Sequence, residues 1–259
     1  MSELEFLEAL HVELLRHDGI GVAGARHELF QTSTIQALLG GTFDGDVTLD
    51  ELLQHGDLGL GTLNGLDGEL IVIDGQVFKA ELDCTLRRPA LGSRTPYAVV
   101  VPFAPGPERR LDGPIDAASL EGRLWATGER PRAPTAVRID GHFDLVRVRS
   151  VPRQTPPYPP LSEAIAHEHR VDLRDTSGTM VGFCFPDDLR GIEMVGFHLH
   201  FADDARSRGG HVLGFALREG MVRIDEATEL HVELPAAVAV PDHGDPDDQT
   251  TLRRLEGSS

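Results

Sequence analysis

Ten consecutive residues, Val151-Pro152-Arg153-Gln154-Thr155-Pro156-Pro157-Tyr158-Pro159-Pro160, include five prolines. Proline lacks an amide donor, fixes its own φ and restricts the residue before it, so this stretch is neither helix nor central strand. Regular structure must therefore be built on either side of a connector. The expected organisation is a helical extension over 1–27, an N-terminal sheet domain over 28–150, a C-terminal sheet domain over 151–240, and a tail over 241–259 that is acidic and contains proline.

On the N-terminal side, Phe6, Leu7, Leu10, Leu14 and Leu15 recur at helical spacing, which predicts an amphipathic helix over 3–17. Ser33 with Gln36, and Thr48 with Glu51, have the spacing of capping boxes and predict two short helices. Residues 55–68 are glycine-dense and read as a loop. Asp74-Gly75 between Glu69-Leu70-Ile71-Val72-Ile73 and Gln76-Val77-Phe78-Lys79-Ala80 is a two-residue hairpin signal. Further strands are expected over 97–103, 136–150, 179–185, 196–201, 211–217 and 230–234, with a helix over 161–169. The fold class that follows is α/β of the α+β type: two sheet-containing halves of mixed or antiparallel strands with short helices.

Charge narrows the partners. Twenty-four Lys and Arg against 42 Asp and Glu leave a formal net charge of -18, a field that repels phosphate backbones and anionic lipid surfaces. Nucleic acid and membrane are therefore excluded as partners, and a small anionic substrate needs a local cation. Two cysteines, Cys84 and Cys184, make no disulfide framework and have no CxxC spacing. With an acidic N-terminal stretch and no apolar run of membrane-spanning length, a cytoplasmic location is expected.

In Gly196-Phe197-His198-Leu199-His200-Phe201, the period of a strand places His198 and His200 on one face, with Cα atoms about 7 Å apart. Ten residues later, His211 can begin an adjacent antiparallel strand and bring a third imidazole to the pair. Three neutral histidines with an open coordination position describe a catalytic zinc centre; a His-x-His pair on a strand is equally a half-exposed polar face, and spacing leaves both open. Glu69 falls on a face shared with Ile71 and Ile73, where a buried carboxylate needs a partner and a strand end does not. Phe143, Leu145, Arg147 and Arg149 share a face, so an apolar stripe runs into two guanidinium groups that fit either a planar carboxylate or surface ion pairs. The loop glycines lack the P-loop lysine and the Rossmann spacing, and no G-x-S-x-G elbow is present.

Taken together and in order, several segments resemble the acetolactate decarboxylase family. They are Ser33-Thr34-Ile35 with Ala37-Leu38-Leu39, Phe43-Asp44-Gly45, His55-Gly56-Asp57, Gly59-Leu60-Gly61-Thr62 and Leu66-Asp67-Gly68-Glu69-Leu70. The series continues with Pro96-Tyr97-Ala98, Arg149-Ser150-Val151-Pro152-Arg153-Gln154, the His198 segment, and Gly209-Gly210-His211-Val212, so the likeness spans roughly 28–235. Gly214, where the family commonly has an acid, and residues 1–27 depart from the pattern.

The resemblance implies a zinc ion held by His198, His200 and His211 on the C-terminal sheet, with Glu69 and Arg149 approaching from the N-terminal half and Thr62 as a further pocket residue. It also implies a C-terminal glutamate returning to the site, for which Glu256 is the counterpart, and a homodimer. The implied reaction converts 2-acetolactate to acetoin and CO₂: the metal stabilises an enediolate, Arg149 orients the carboxylate, and Glu69 or Glu256 delivers the proton. Two alternatives remain to be discriminated: another His₃ metalloenzyme such as a cupin-like oxygenase, and a non-catalytic metal or small-ligand binding module.

Overall fold

A computed structural model describes residues 11–16, 27–125 and 131–235 of the chain. Its strands and helices, in chain order, are β1 (His11–Arg16), β2 (Glu28–Thr32), α1 (Ile35–Leu39), β3 (Val47–Thr48), α2 (Leu49–Leu52), β4 (Leu58–Thr62), β5 (Glu69–Ile73), β6 (Gln76–Ala80), β7 (Leu86–Arg87), β8 (Arg94–Thr95) and β9 (Tyr97–Val101). There follow β10 (Arg109–Asp116), α3 (Ala117–Leu124), β11 (Thr135–Ser150), α4 (Leu161–Ile165), β12 (His169–Phe185), β13 (Gly196–Asp203), β14 (Gly209–Glu226) and β15 (Glu229–Leu234). No helix among the described residues is long and apolar enough to cross a membrane.

The first sheet has eight strands in the order β1-β15-β2-β9-β4-β5-β6-β7. Its central strands β4, β5 and β9 are buried at every position, so neither face sees solvent. Alternate side chains serve different cores: Leu60, Ile71 and Val99 pack toward the second sheet, whereas Leu70, Val72 and Val100 pack on the far side with Leu49 and Leu52 of α2. The hairpin turn Asp74-Gly75 has both residues at positive φ, 52° and 69°, which matches the twist of the strands it joins.

The second sheet contains β10-β14-β11-β12-β13, and the additional pairing of β13 with β14 closes it on itself. One edge of β14 pairs with β11; the other pairs with β10 between Ala216 and Val222 and with β13 at its first residues, His200 opposite His211. Closure removes an exposed edge and draws the start of β14 tightly between two neighbours. Gly209 and Gly210 permit that closeness, since a Cβ would stand 2.1 Å from the Phe201 carbonyl oxygen at the first and 2.5 Å from that of Arg149 at the second; Gly182 of β12 likewise lets β13 approach, with a Cβ 2.0 Å from the carbonyl oxygen of His198.

Several expectations are corrected. Within the proposed helix over 3–17, the described residues 11–16 form β1, paired in parallel with β15; the rest lies outside the described residues. The backbone groups offered by a neighbouring strand outweigh the helical spacing there, and Val12 and Leu14 also satisfy an alternating pattern. The glycine-dense stretch holds the central strand β4, because Gly59 and Gly61 allow β9 to approach: a Cβ at Gly61 would lie 2.5 Å from the Tyr97 carbonyl. The first helix is capped by Thr34, whose hydroxyl accepts from the Ala37 amide at 3.2 Å, one residue beyond the expected Ser33, whereas Thr48 and Glu51 do form their capping box. The helix after the prolines ends at Ile165, where β12 begins four residues later.

The connector also separates less than its composition implies. Strands β10 and β11 precede it yet belong to the second sheet, and β15 returns to the first sheet between β1 and β2. The chain therefore changes sheet before Arg109 and again after Glu226, and Arg149 lies on the second sheet, beside the imidazoles rather than opposite them. Hydrophobic patterning specifies faces and says little about which long-range partner a strand takes.

Candidate metal centre and active site

Two rows of side chains, one from each sheet, face a common pocket. On the second sheet Arg149, His211 and His200 are directly opposite one another across β11, β14 and β13, with His198 two residues earlier on the same face of β13. On the first sheet Tyr97, Thr62 and Glu69 are likewise opposite one another across β9, β4 and β5. Cross-strand neighbours share a face, so each row converges by register alone.

The imidazoles of His198, His200 and His211 are buried, with ligand atoms all within 4.8 Å of one another. Their ring centroids form a nearly equilateral triangle with sides of 5.3, 5.1 and 5.2 Å. His200 donates from Nδ1 to the carbonyl of Leu70 at 2.8 Å, which fixes the tautomer and leaves its Nε2 lone pair facing His211 Nδ1, 3.3 Å away. Burial holds His200 and His211 well below the usual imidazole range, and the positive charge of Arg149 adds to it. Three imidazole nitrogen donors brought to one point, one of them oriented by a backbone carbonyl, fit a divalent metal that prefers imidazole.

Beside this cluster Glu69 is 7% exposed, its Oε2 lying 3.8 Å from His200 Nε2 and its Oε1 3.7 Å from Nη1 of Arg149. Arg149 is 5% exposed, and its Nε faces Glu168 Oε2 at 3.3 Å. Thr62 donates to the carbonyl of Gly68 at 2.8 Å, which ties β4 to the turn preceding Glu69. The pocket encloses about 520 Å³ of space open to solvent; Ile35, Leu38, Leu161 and Ile165 give it apolar walls, while Glu69, Arg149, His198 and His211 supply its polar end. A small anion with short alkyl groups matches that division.

The structure thus brings together His198, His200, His211, Glu69, Arg149 and Thr62, whereas Glu256 lies outside the described residues. Arg147, the other guanidinium of the expected stripe, points instead to a surface ion pair with Asp172 at 2.7 Å. Sequence reasoning missed Glu168, which follows a short helix without any periodic signal, and Glu193, a fully buried acid between Ile192 and Met194. An acid flanked by apolar residues was the available signal for the latter. Glu193 accepts the Tyr97 hydroxyl at 2.6 Å and the Met194 amide at 3.2 Å, and burial pushes its carboxyl up to about 8.

Comparison with known proteins gives the family. The family model described as alpha-acetolactate decarboxylase matches residues 29–240. An alpha-acetolactate decarboxylase of Methylococcus capsulatus is 41% identical over 216 residues, covering 83% of each chain. Another, from Methanosarcina mazei, is 38% identical and covers 81% of this chain and 73% of its own. The crystal structure of alpha-acetolactate decarboxylase from Bacillus subtilis strain 168 superposes with a TM-score of 0.83 at 34% identity, covering 89% of this chain and all of that one (100%). With a family match over most of its length and relatives above the level at which folds and families diverge, the chain belongs to the alpha-acetolactate decarboxylase family.

Proposed function

We propose that this protein converts 2-acetolactate to acetoin and CO₂ with a zinc ion held by His198, His200 and His211. The reading rests on one observation above all: three buried imidazoles, a buried arginine and a buried carboxylate meet at the polar end of a single small pocket. Bound there, the metal supplies Lewis acidity toward the oxygens of a hydroxy-keto acid.

The chain's own groups do the rest. Arg149 takes the substrate carboxylate with a planar, permanently charged guanidinium and orients the carbon–carbon bond to be broken. As that bond breaks, CO₂ leaves and the electron pair stays on the remaining carbon skeleton as an enediolate. Glu69, already within 4 Å of both Arg149 and His200, delivers a proton to carbon, and the net change is uptake of one proton with release of one CO₂. Glu256 is the second carboxylate of the proposal, and Thr62 shapes the floor on which Glu69 stands. The apolar walls exclude water from the developing charge. A homodimer in the cytoplasm completes the proposal.

Elemental analysis of the purified protein combined with acetoin and CO₂ release from added 2-acetolactate tests it. Zinc near one per chain with stoichiometric acetoin is expected. Oxygen consumption with iron would favour an oxygenase, and zinc without CO₂ would leave a binding module.

A further inference from the structure

Arg149 has a second carboxylate neighbour that the proposed reaction does not use. Glu168 follows α4 and places its side chain, 8% exposed, against the Nε edge of the guanidinium at 3.3 Å, while Glu69 stands at Nη1 at 3.7 Å. Opposite charges at two different nitrogens bracket the guanidinium electrostatically and oppose its displacement toward either side. Glu168 is in turn bound through its Oε1 by Arg170, a residue of β12 whose own side chain is 63% exposed. Arg170 and Arg149 are directly opposite each other on paired strands, so Glu168 sits between two arginines held in register. The series Arg170, Glu168, Arg149, Glu69 alternates in sign from the surface to the imidazole cluster.

That alternation has a chemical consequence. A lone carboxylate beside Arg149 would compete with a substrate anion for its charge; one already paired with Arg170 competes less and still holds a fixed opposite charge beside Nε. We infer that Glu168 is a positioning residue: backed by Arg170, it holds the Nε edge of Arg149 so that the remaining donors of the guanidinium are presented to the carboxylate of the substrate. The inference rests on the proposed role of Arg149 and goes one residue beyond it.

Two inhibitors of similar size separate positioning from general damage: 2-hydroxyisobutyrate, which carries the carboxylate, and acetoin, which does not. In the holoenzyme, E168A should weaken 2-hydroxyisobutyrate about tenfold and raise the KM for 2-acetolactate similarly, leaving acetoin inhibition, zinc content and melting temperature near those of the parent. E168D keeps the carboxylate charge beside Nε and should restore affinity to within about threefold. Unchanged affinity for 2-hydroxyisobutyrate in E168A overturns the inference, and so does an equal loss of both inhibitors. Should E168A fail to fold, R170A decides in its place: selective weakening of the anion upholds the inference and no change overturns it. R149A tests the foundation separately. If it does not weaken the anion selectively, the role proposed for Arg149 fails; if it does while E168A has no effect, only the positioning role fails.

Discussion

The two rows that meet in the pocket are built on different kinds of strand. Tyr97, Thr62 and Glu69 belong to short strands of unbroken register, buried on both faces and packed between two apolar cores. Arg149, His211 and His200 belong to long strands that close on themselves, with a register shift between Arg147 and Val148 just before Arg149. A regular platform supplies shape and one carboxylate; the closed, irregular sheet gathers the nitrogen donors. Bulges and closures re-aim side chains and cost stability, and the platform's burial offsets that cost. One direct polar link between the two sheets is the bond from His200 to the Leu70 carbonyl, by which the platform's backbone orients a ligand of the other sheet.

The sharpest break of the comparison is His211→Ala. It removes a donor from the closed sheet and leaves the platform intact, so zinc should fall below about a tenth of an equivalent and turnover by roughly 10³-fold or more, with the fold retained. Elemental analysis and an acetoin assay check both; full turnover without metal would overturn the assignment of the imidazoles. Arg149→Lys is next. An ammonium keeps the charge and loses the planar fork, which costs about 2–3 kcal/mol, or roughly 30- to 150-fold in kcat/KM, without loss of zinc. An unchanged kcat/KM would remove Arg149 from the mechanism.

A smaller effect isolates the strand geometry from the donors. Gly182→Ala adds only a methyl group, but a Cβ there meets the His198 carbonyl at 2.0 Å and β13 must move by about 1 Å. We expect roughly a tenfold loss in kcat/KM with weakened zinc retention against a chelator. The equivalent intrusion on the platform, Gly61→Ala, meets the Tyr97 carbonyl at 2.5 Å and should lower stability more than zinc retention. If both variants lose zinc equally, the division of labour between the sheets is wrong.

These contrasts also explain what was legible in the sequence. The alternation of His198, Leu199 and His200 is a strand signal, and the spacing to His211 allows a return strand, so spacing offered the cluster as one of two readings and the family resemblance favoured it. Glu69 was legible only as one of two readings, a buried acid or a solvated strand end, and the structure buries it. Beyond local pattern the reading failed wherever pairing partners decide. Strand β4 was hidden because its glycines, a loop signal in isolation, are what close packing against β9 requires. Strand β1 was read as helix, and β10 with α3 gave no signal strong enough to place them. The sheet change before Arg109 is a long-range choice that no local period encodes.

The smallest expected effect concerns the outer end of the platform row. Tyr97 is held there by Glu193, which reaches under it from the segment between β12 and β13. Burial raises the Glu193 carboxyl from the ordinary 4.5 to about 8, so between those values the native state keeps a proton that the unfolded chain has released. The sign follows: the stability this group contributes is fully present below about pH 4.5 and is lost as pH rises toward 8, with a slope of at most about 1.4 kcal/mol per pH unit. Glu193→Gln keeps the carbonyl that accepts the Tyr97 hydroxyl and has no proton to lose. Its unfolding midpoint should therefore fall less between pH 5 and 8 than that of the parent, while kcat/KM for 2-acetolactate stays within about twofold. Chemical denaturation at several pH values measures the difference. An identical pH slope in both proteins would mean that Glu193 is charged in the folded state, and that the anchor of this row is an ionised group rather than a neutral acid.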